Sequence, residues 1–207
     1  MVVYKFKAHQ KAYFILKRLI AIVASIVGIF FCFGLFWWWI FIINLIVTKG
    51  HPVFVQERIG KNKKVFKLLK FRSMKLDSNP NLAPSDMEEG QERAADTKFG
   101  AFLRKTSLDE TLQLFNILVG QMAFIGPRPG NAVNENHLIE CREKYTPNAY
   151  AVKPGLTGLA QVRMKRGHNP EKKAYFDHEY VKNVSLWLDI KIFILTILKL
   201  FGAVKGE

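Results

Sequence analysis

From Leu19 to Val47 the chain carries no charged side chain, and only Ser25 and Asn44 interrupt a run dominated by Ile, Val, Leu, Phe and Trp. These 29 residues would make a helix about 43 Å long, against a hydrocarbon core of about 30 Å. The pattern predicts a membrane helix that must tilt, protrude or bend. A cleaved signal peptide fits poorly, because its apolar region should be about 7–15 residues and end in small residues. Lys5, Lys7, Lys11, Lys17 and Arg18 precede the run, and Lys49, Arg58, Lys61, Lys63, Lys64, Lys67 and Lys70 follow it. Both flanks look cytoplasmic by the positive-inside rule. That favours a helix that enters one leaflet, breaks near Gly28 or Gly34 and returns. A tilted full span is the alternative, since a glycine permits a bend at about 1 kcal/mol without enforcing one. Trp37, Trp38 and Trp39 would reach the far interface in a full span and lie deeper in a re-entrant one.

Downstream the periodicity is that of a small mixed domain. Residues 52–56 and 64–72 read as strands of a hairpin turning around Gly60 to Asn62. Residues 77–96 have the composition of an acidic loop. Helical spacing covers 99–105, 108–119 with Gly120 as its stop, 137–145 and 170–181. Residues 153–163, with one Pro and two Gly at the start, read as a turn-rich loop running into a short strand. Ser185 to Val204 is apolar but interrupted by Asp189, Lys191 and Lys199. It suits an amphipathic helix on a membrane surface, or equally one covering the domain's own core. The expected fold is α+β, mostly helical. A basic cytosolic segment (1–18) leads into a membrane helix (19–47), followed by one cytosolic domain (48–207) with amphipathic interfacial helices.

Charge sharpens this division. The 207 residues carry 31 Lys+Arg and 17 Asp+Glu, a net charge of +14, but residues 1–75 hold +13 of it. The basicity therefore belongs to the flanks of the apolar run, where it draws the chain to anionic headgroups. Nucleic-acid binding is disfavoured, since the expected interleaving of basic and aromatic residues is missing. Hydrophobic content of 49% excludes a disordered chain. Cys32 and Cys141 are too few and too unlike in context for a disulfide framework or a zinc cluster, which suits a reducing compartment.

Asp109-Glu110 is the one adjacent acidic pair that leads directly into an apolar helical pattern. Ser107-Leu108-Asp109-Glu110 reads as a capping box, with Glu110 reaching back to Ser107. The same residues could present free N–H groups and one carboxylate to a phosphate, while the other carboxylate helps hold a divalent cation. Phosphate chemistry by a carboxylate needs cations nearby. Candidates are Arg104, Arg128 between two prolines, and Lys70 with Arg72 in Lys70-Phe71-Arg72-Ser73-Met74. There is no Walker loop, dinucleotide fingerprint or His-Glu-x-x-His site, and His9, His51, His137, His168 and His178 lack ligand spacing.

Six stretches in order resemble the bacterial sugar transferase family, the monotopic polyprenyl-phosphate phosphoglycosyl transferases. They are Gln56 to Gly60, Lys70 to Met74, Arg104 to Glu110, Gln113 to Asn116, Phe124 to Pro129 and Lys153 to Val162. The resemblance implies attack by Asp109 on the β-phosphate of a UDP-sugar, loss of UMP, and transfer of the phosphosugar to a membrane polyprenyl phosphate. It further implies Glu110 as a Mg²⁺ ligand and Lys70, Arg104 and Arg128 around the phosphates. Arg72 and Gln161 would line the nucleotide-sugar pocket. Membrane lipid and downstream glycosyltransferases are the partners such an enzyme would meet at the cytoplasmic face of a bacterial inner membrane, in surface-glycan assembly. Four positions depart from the family pattern. Thr111-Leu112 stand for Leu-Pro, Gln121 for Asp, Ala21 for an acidic residue, and the helix-breaking proline is replaced near Gly34. An inactive, scaffolding relative is the alternative that these departures raise.

Overall fold

A computed structural model describes residues 4–74, 97–132, 136–164 and 169–203. The acidic loop expected at 77–96 lies outside the described residues, and so does His168. Helix α1 (Ala8–Cys32) continues through a π turn (Phe33–Trp37) into α2 (Trp38–Thr48), 41 helical residues in all. At about 1.5 Å per residue that is about 60 Å. The helix starts ahead of the expected edge at 18/19 and takes in Lys11, Lys17 and Arg18. Neither expected break interrupts it. Gly34 sits inside the π turn, and Phe33 and Trp38 on either side keep right-handed helical backbone. Lys49, in the left-handed region, ends the helix.

The hairpin forms as expected, with β1 (Val53–Ile59) antiparallel to β2 (Val65–Phe71) and Val53 opposite Phe71. Asn62 and Lys63 take positive φ in its turn. Two strands have no counterpart in the sequence pattern: β3 (Ala123–Ile125) and β4 (Gly130–Asn131) are too short for alternation to be visible. Strand β4 pairs with the free edge of β1, and β3 pairs in parallel with β5 (Gly155–Thr157). The helices of the domain are α3 (Lys98–Lys105), α4 (Gln113–Leu118), α5 (Asn136–Glu143), α6 (Leu159–Arg163), α7 (Pro170–Lys182) and α8 (Leu186–Leu200). Pro170 opens α7 behind an Asn169 cap, and Ser185 caps α8. Two expectations change. The helix expected at 108–119 divides into a 3₁₀ turn (Leu108–Glu110) and α4, and residues 153–163 close on helix α6 rather than on a strand.

One apolar cluster joins the first helix to the hairpin and α4 through Ala21, Trp37, Ile40, Phe71, Leu112 and Ile117. A second lies beneath α7 and α8 around Ile125, Val152, Val181 and Ile192. Helix α8 therefore covers the core with one side while Trp187, Phe193, Ile194 and Phe201 remain exposed. So do Leu19, Val23, Phe30, Trp39 and Ile46 along the first helix. Exposed apolar surface on this scale marks a lipid or partner surface.

The domain grips the first helix near both ends. Lys17 Nζ lies 2.6 Å from Asp189 Oδ2 and donates to Ile125 O (2.7 Å), while the Tyr13 hydroxyl donates to Asp189. Arg18 donates to Ile117 O (2.5 Å) and Leu118 O (2.7 Å), adding a cation at the carbonyl end of α4. At the other end Asn44 Nδ2 donates to Arg72 O (2.6 Å) and to Pro52 O (3.3 Å).

Candidate active site

The turn Leu108–Glu110 follows Ser107, whose φ of 57° lies in the left-handed region. That backbone turns the chain sharply after α3 and leaves the Ser107 side chain without a capping bond, so the capping box does not form. Glu110 faces the domain instead. Its Oε1 accepts from Lys70 Nζ (3.0 Å) and Arg128 Nη2 (2.5 Å), and Oε2 accepts from Arg128 Nη1 at 3.4 Å. Asp109 is 5% exposed beside it.

Several side chains bring these groups together from distant parts of the sequence. Lys70 is carried by β2, which is tied to α4 by Asn116. The Asn116 amide accepts from Leu69 N–H (3.0 Å) and donates to Lys67 O (2.7 Å) and Gln121 Oε1 (2.7 Å). Gln121, one of the departures from the family pattern, thus serves as a neutral acceptor. Arg128 sits in a loop clamped from two sides. Arg142 donates to Arg128 O (2.9 Å) and, through Nε and Nη2, to Asp177 Oδ2 (2.9 and 2.5 Å), while Arg58 donates to Pro129 O (3.3 Å). Gly126 packs its backbone directly on Gly155 and Gly158, where a Cβ on either would overlap it. Sequence reasoning does not single out Arg58, Asn116, Arg142 or Asp177 as site residues. Arg58 and Asn116 lie in motif stretches, but Arg142 and Asp177 look like surface charges until their pairing is seen.

Burial pushes the Asp109 carboxyl up to about 6; Lys70 opposes the rise and the Glu110 charge adds to it. Burial would raise Glu110 too, but Arg128 and Lys70 outweigh it and hold that carboxyl well below the usual carboxylate range. Lys70 is drawn down by burial against the pull of Glu110. Two adjacent carboxylates with separated affinities for a proton are the pattern of a site with divided roles.

Of the other expected residues, Arg104 lies in the last turn of α3, within electrostatic reach of Asp109. Arg72 is not brought to this cluster. Its Nε donates to His51 O (2.8 Å) and its guanidinium lies 5.8 Å from the Phe54 ring centre. Gln161 sits on α6, its buried amide close to Gly158 and without a hydrogen-bond partner among the described residues. His178 Nδ1 lies 2.7 Å from Pro147 O and its ring stacks on Tyr145, away from the carboxylates' partners.

No three His, Cys, Asp or Glu side chains converge to hold a metal among the described residues. Mg²⁺ characteristically takes one or two carboxylates and fills its other positions with water and substrate phosphates. Asp109 and an ionised Glu110 fit that hard-oxygen role only together with a phosphate ligand.

A buried carboxylate pair in a cage of cations, set against a long apolar helix, suits the handling of phosphate groups beside a membrane. The sequence matches the bacterial sugar transferase family over residues 12–203, and the chain belongs to that family. It is 39% identical over 160 residues to a UDP-glucose:undecaprenyl-phosphate glucose-1-phosphate transferase of Xanthomonas campestris pv. campestris, covering 75% of this chain and 32% of the relative. It is 36% identical over 197 residues to an undecaprenyl-phosphate galactose phosphotransferase of Salmonella typhimurium, covering 87% and 39%. With the galactosyl transferase CpsE of Streptococcus agalactiae it shares 32% identity over 207 residues, covering 95% and 44%. The chain spans between about a third and a half of the length of these relatives.

Proposed function

We propose that the protein transfers a sugar 1-phosphate from a UDP-sugar to a polyprenyl phosphate through a covalent intermediate on Asp109. One Asp109 oxygen attacks the β-phosphorus, the bond to the bridging oxygen breaks, and UMP leaves with that electron pair. The polyprenyl phosphate oxygen then attacks the same phosphorus, releasing the Asp109 carboxylate and forming a polyprenyl diphosphate sugar. The observation that carries this reading is the buried Asp109 beside a Glu110 held ionised by Lys70 and Arg128. In such a site Asp109 is ionised at neutral pH yet stripped of water, which favours attack. Arg128 offers a planar fork to phosphate oxygens and Lys70 a point charge. Glu110 with the substrate phosphates would hold Mg²⁺, which when bound neutralises phosphate charge. In the relatives' names the acceptor is undecaprenyl phosphate and the donors are glucose or galactose derivatives, which sets the first compounds to try.

Incubating the protein with Mg²⁺ and a panel of UDP-hexoses, without lipid acceptor, is expected to leave a hexose phosphate on the peptide containing Asp109, read by mass spectrometry. Folded protein that gains no adduct from any donor would count decisively against the reading.

The membrane arrangement belongs to the same proposal. The first helix enters the inner membrane from the cytoplasmic side and does not deliver its two ends to opposite faces. In support, Lys17, Arg18 and Asn44 are all bonded to the one domain, which cannot lie on both sides of a bilayer. Single cysteines introduced at Lys11 and Lys49 should therefore both react with a membrane-impermeant maleimide in inverted vesicles and be protected in intact cells. Opposite labelling of the two would rule the arrangement out.

A further inference from the structure

Only one of the three consecutive tryptophans enters the protein. The inward face of α1 runs through Ala21, Ser25 and Cys32, and α2 resumes it at Ile40, Asn44 and Thr48. From Cys32 an uninterrupted α-helix would bring residue 36 to that face. The π turn inserts one residue more, and Trp37 is the side chain buried there, at 6% exposure, while Trp38 and Trp39 stack on each other outside. Single π turns inside α-helices are rare and gather at functional sites.

What Trp37 touches is specific. Its indole Nε1–H donates to Thr111 Oγ1 (2.9 Å), and the Thr111 hydroxyl donates onward to Leu108 O (2.7 Å). Thr111 follows Glu110, and Leu108 opens the turn that carries Asp109 and Glu110. The same indole packs edge-on to Phe71, ring centres 6.5 Å apart, and Phe71 follows Lys70. One side chain of the membrane helix thus contacts the immediate neighbours of both halves of the Lys70–Glu110 ion pair. Linked hydrogen bonds of this kind polarise and strengthen one another. Thr111-Leu112 stand where the family pattern has Leu-Pro; here the backbone closes the turn through Thr111 N–H to Leu108 O (3.2 Å), and this pair of side-chain bonds is added to it.

We propose that Trp37 and Thr111 are positioning residues, through which the membrane helix sets the geometry of the turn carrying Asp109 and Glu110. A phenylalanine at 37 would keep a smaller aromatic ring against Phe71 and Phe115 but could not donate. A valine at 111 matches threonine in shape but breaks both bonds. The inference rests on the reading of Asp109 as nucleophile for its kinetic consequence, and on hydrogen bonding alone for its structural one.

The test compares Trp37→Phe, Thr111→Val, Thr111→Ser and the Trp37→Phe/Thr111→Val pair, each reconstituted in lipid nanodiscs. Amide hydrogen exchange across residues 108–111 is expected to speed up in Trp37→Phe and Thr111→Val and to stay at the wild-type rate in Thr111→Ser. In UMP release, kcat is expected to fall about 10- to 100-fold in both single variants with KM for the UDP-sugar unchanged, because a small misplacement of a reacting group costs on that scale. The double variant should be no slower than Thr111→Val, since both act through one chain of bonds, and Thr111→Ser should restore kcat. Unchanged exchange in the two single variants would overturn the proposal whether or not the protein turns over. So would a doubly additive loss, or a loss of kcat that Thr111→Ser fails to restore. A wild-type protein that forms no adduct while the exchange pattern appears as described would sink the nucleophile and leave the positioning role standing.

Discussion

Asp109→Asn is expected to abolish adduct formation and lower transfer by at least about 10⁴-fold, a loss of the size seen when a reacting group is removed from an enzyme. The variant should nevertheless fold at least as well as the parent. In the folded protein the Asp109 carboxyl holds its proton up to about 6, above its usual range, because burial penalises the charge. The contribution of such a group to stability is fully present below pH about 4 and is lost as pH rises through about 6. An asparagine side chain cannot ionise and does not lose it. Unfolding curves of the two proteins should therefore coincide near pH 4 and separate above pH 6, with Asp109→Asn the more stable by up to about 3 kcal/mol. The rate of the parent runs the other way. Because the carboxylate is the attacking form, UMP release should rise with pH and reach half its plateau near about 6. A flat rate profile from pH 5 to 8, or a variant that still gains the phosphosugar, would exclude Asp109 as the nucleophile.

Glu110→Gln should damage both fold and rate. The glutamate carboxylate is the shared acceptor for Lys70 and Arg128, and Lys70 is buried. Removing one partner from a buried ion pair leaves an uncompensated charge and costs about 3–5 kcal/mol, read as a lower urea midpoint. Glu110 titrates below the usual carboxylate range, so its contribution is present above that range and lost as pH falls through its folded value. The gap between parent and variant should accordingly be widest at neutral pH and narrow in acid. The Glu110 charge also helps hold the Asp109 proton, so in the variant the acid limb of the rate profile should move to lower pH. A variant whose limb stays in place would show that the two carboxylates do not sense each other.

The elements closest to expectation are those in which the pattern is long. The hairpin, α3, α5, α7 and the long apolar helix follow from periodicity and from residues such as Gly120, whose φ of 88° ends α4. The grouping of Lys70, Arg128 and the Asp109-Glu110 pair is legible only through the six motifs, since no spacing rule connects positions 58 residues apart (128 − 70). One reading of local pattern goes astray for an identifiable reason. Ser107 has the right chemistry for a helix cap, but its left-handed backbone makes the next residues a tight turn rather than a helix start. Arg72 follows Lys70 by two, but β2 ends at Phe71 and the Arg72 guanidinium lies with His51 and Phe54. Trp37 cannot be told from Trp38 or Trp39 in the sequence, because its orientation depends on one extra residue in a turn, which a 3.6-residue period does not register.

The contact between the first helix and the last has an implication for how the protein is made. Tyr13 and Asp189 are 176 positions apart. At a synthesis rate of about 5–20 residues per second, Tyr13 is made about 9–35 s before its partner exists. During that interval Lys17 and Tyr13 have no Asp189 to bind, while the apolar run behind them is completed. On the proposed membrane placement, lipid would therefore be the earlier partner, and the domain would dock onto a helix that the membrane had already received.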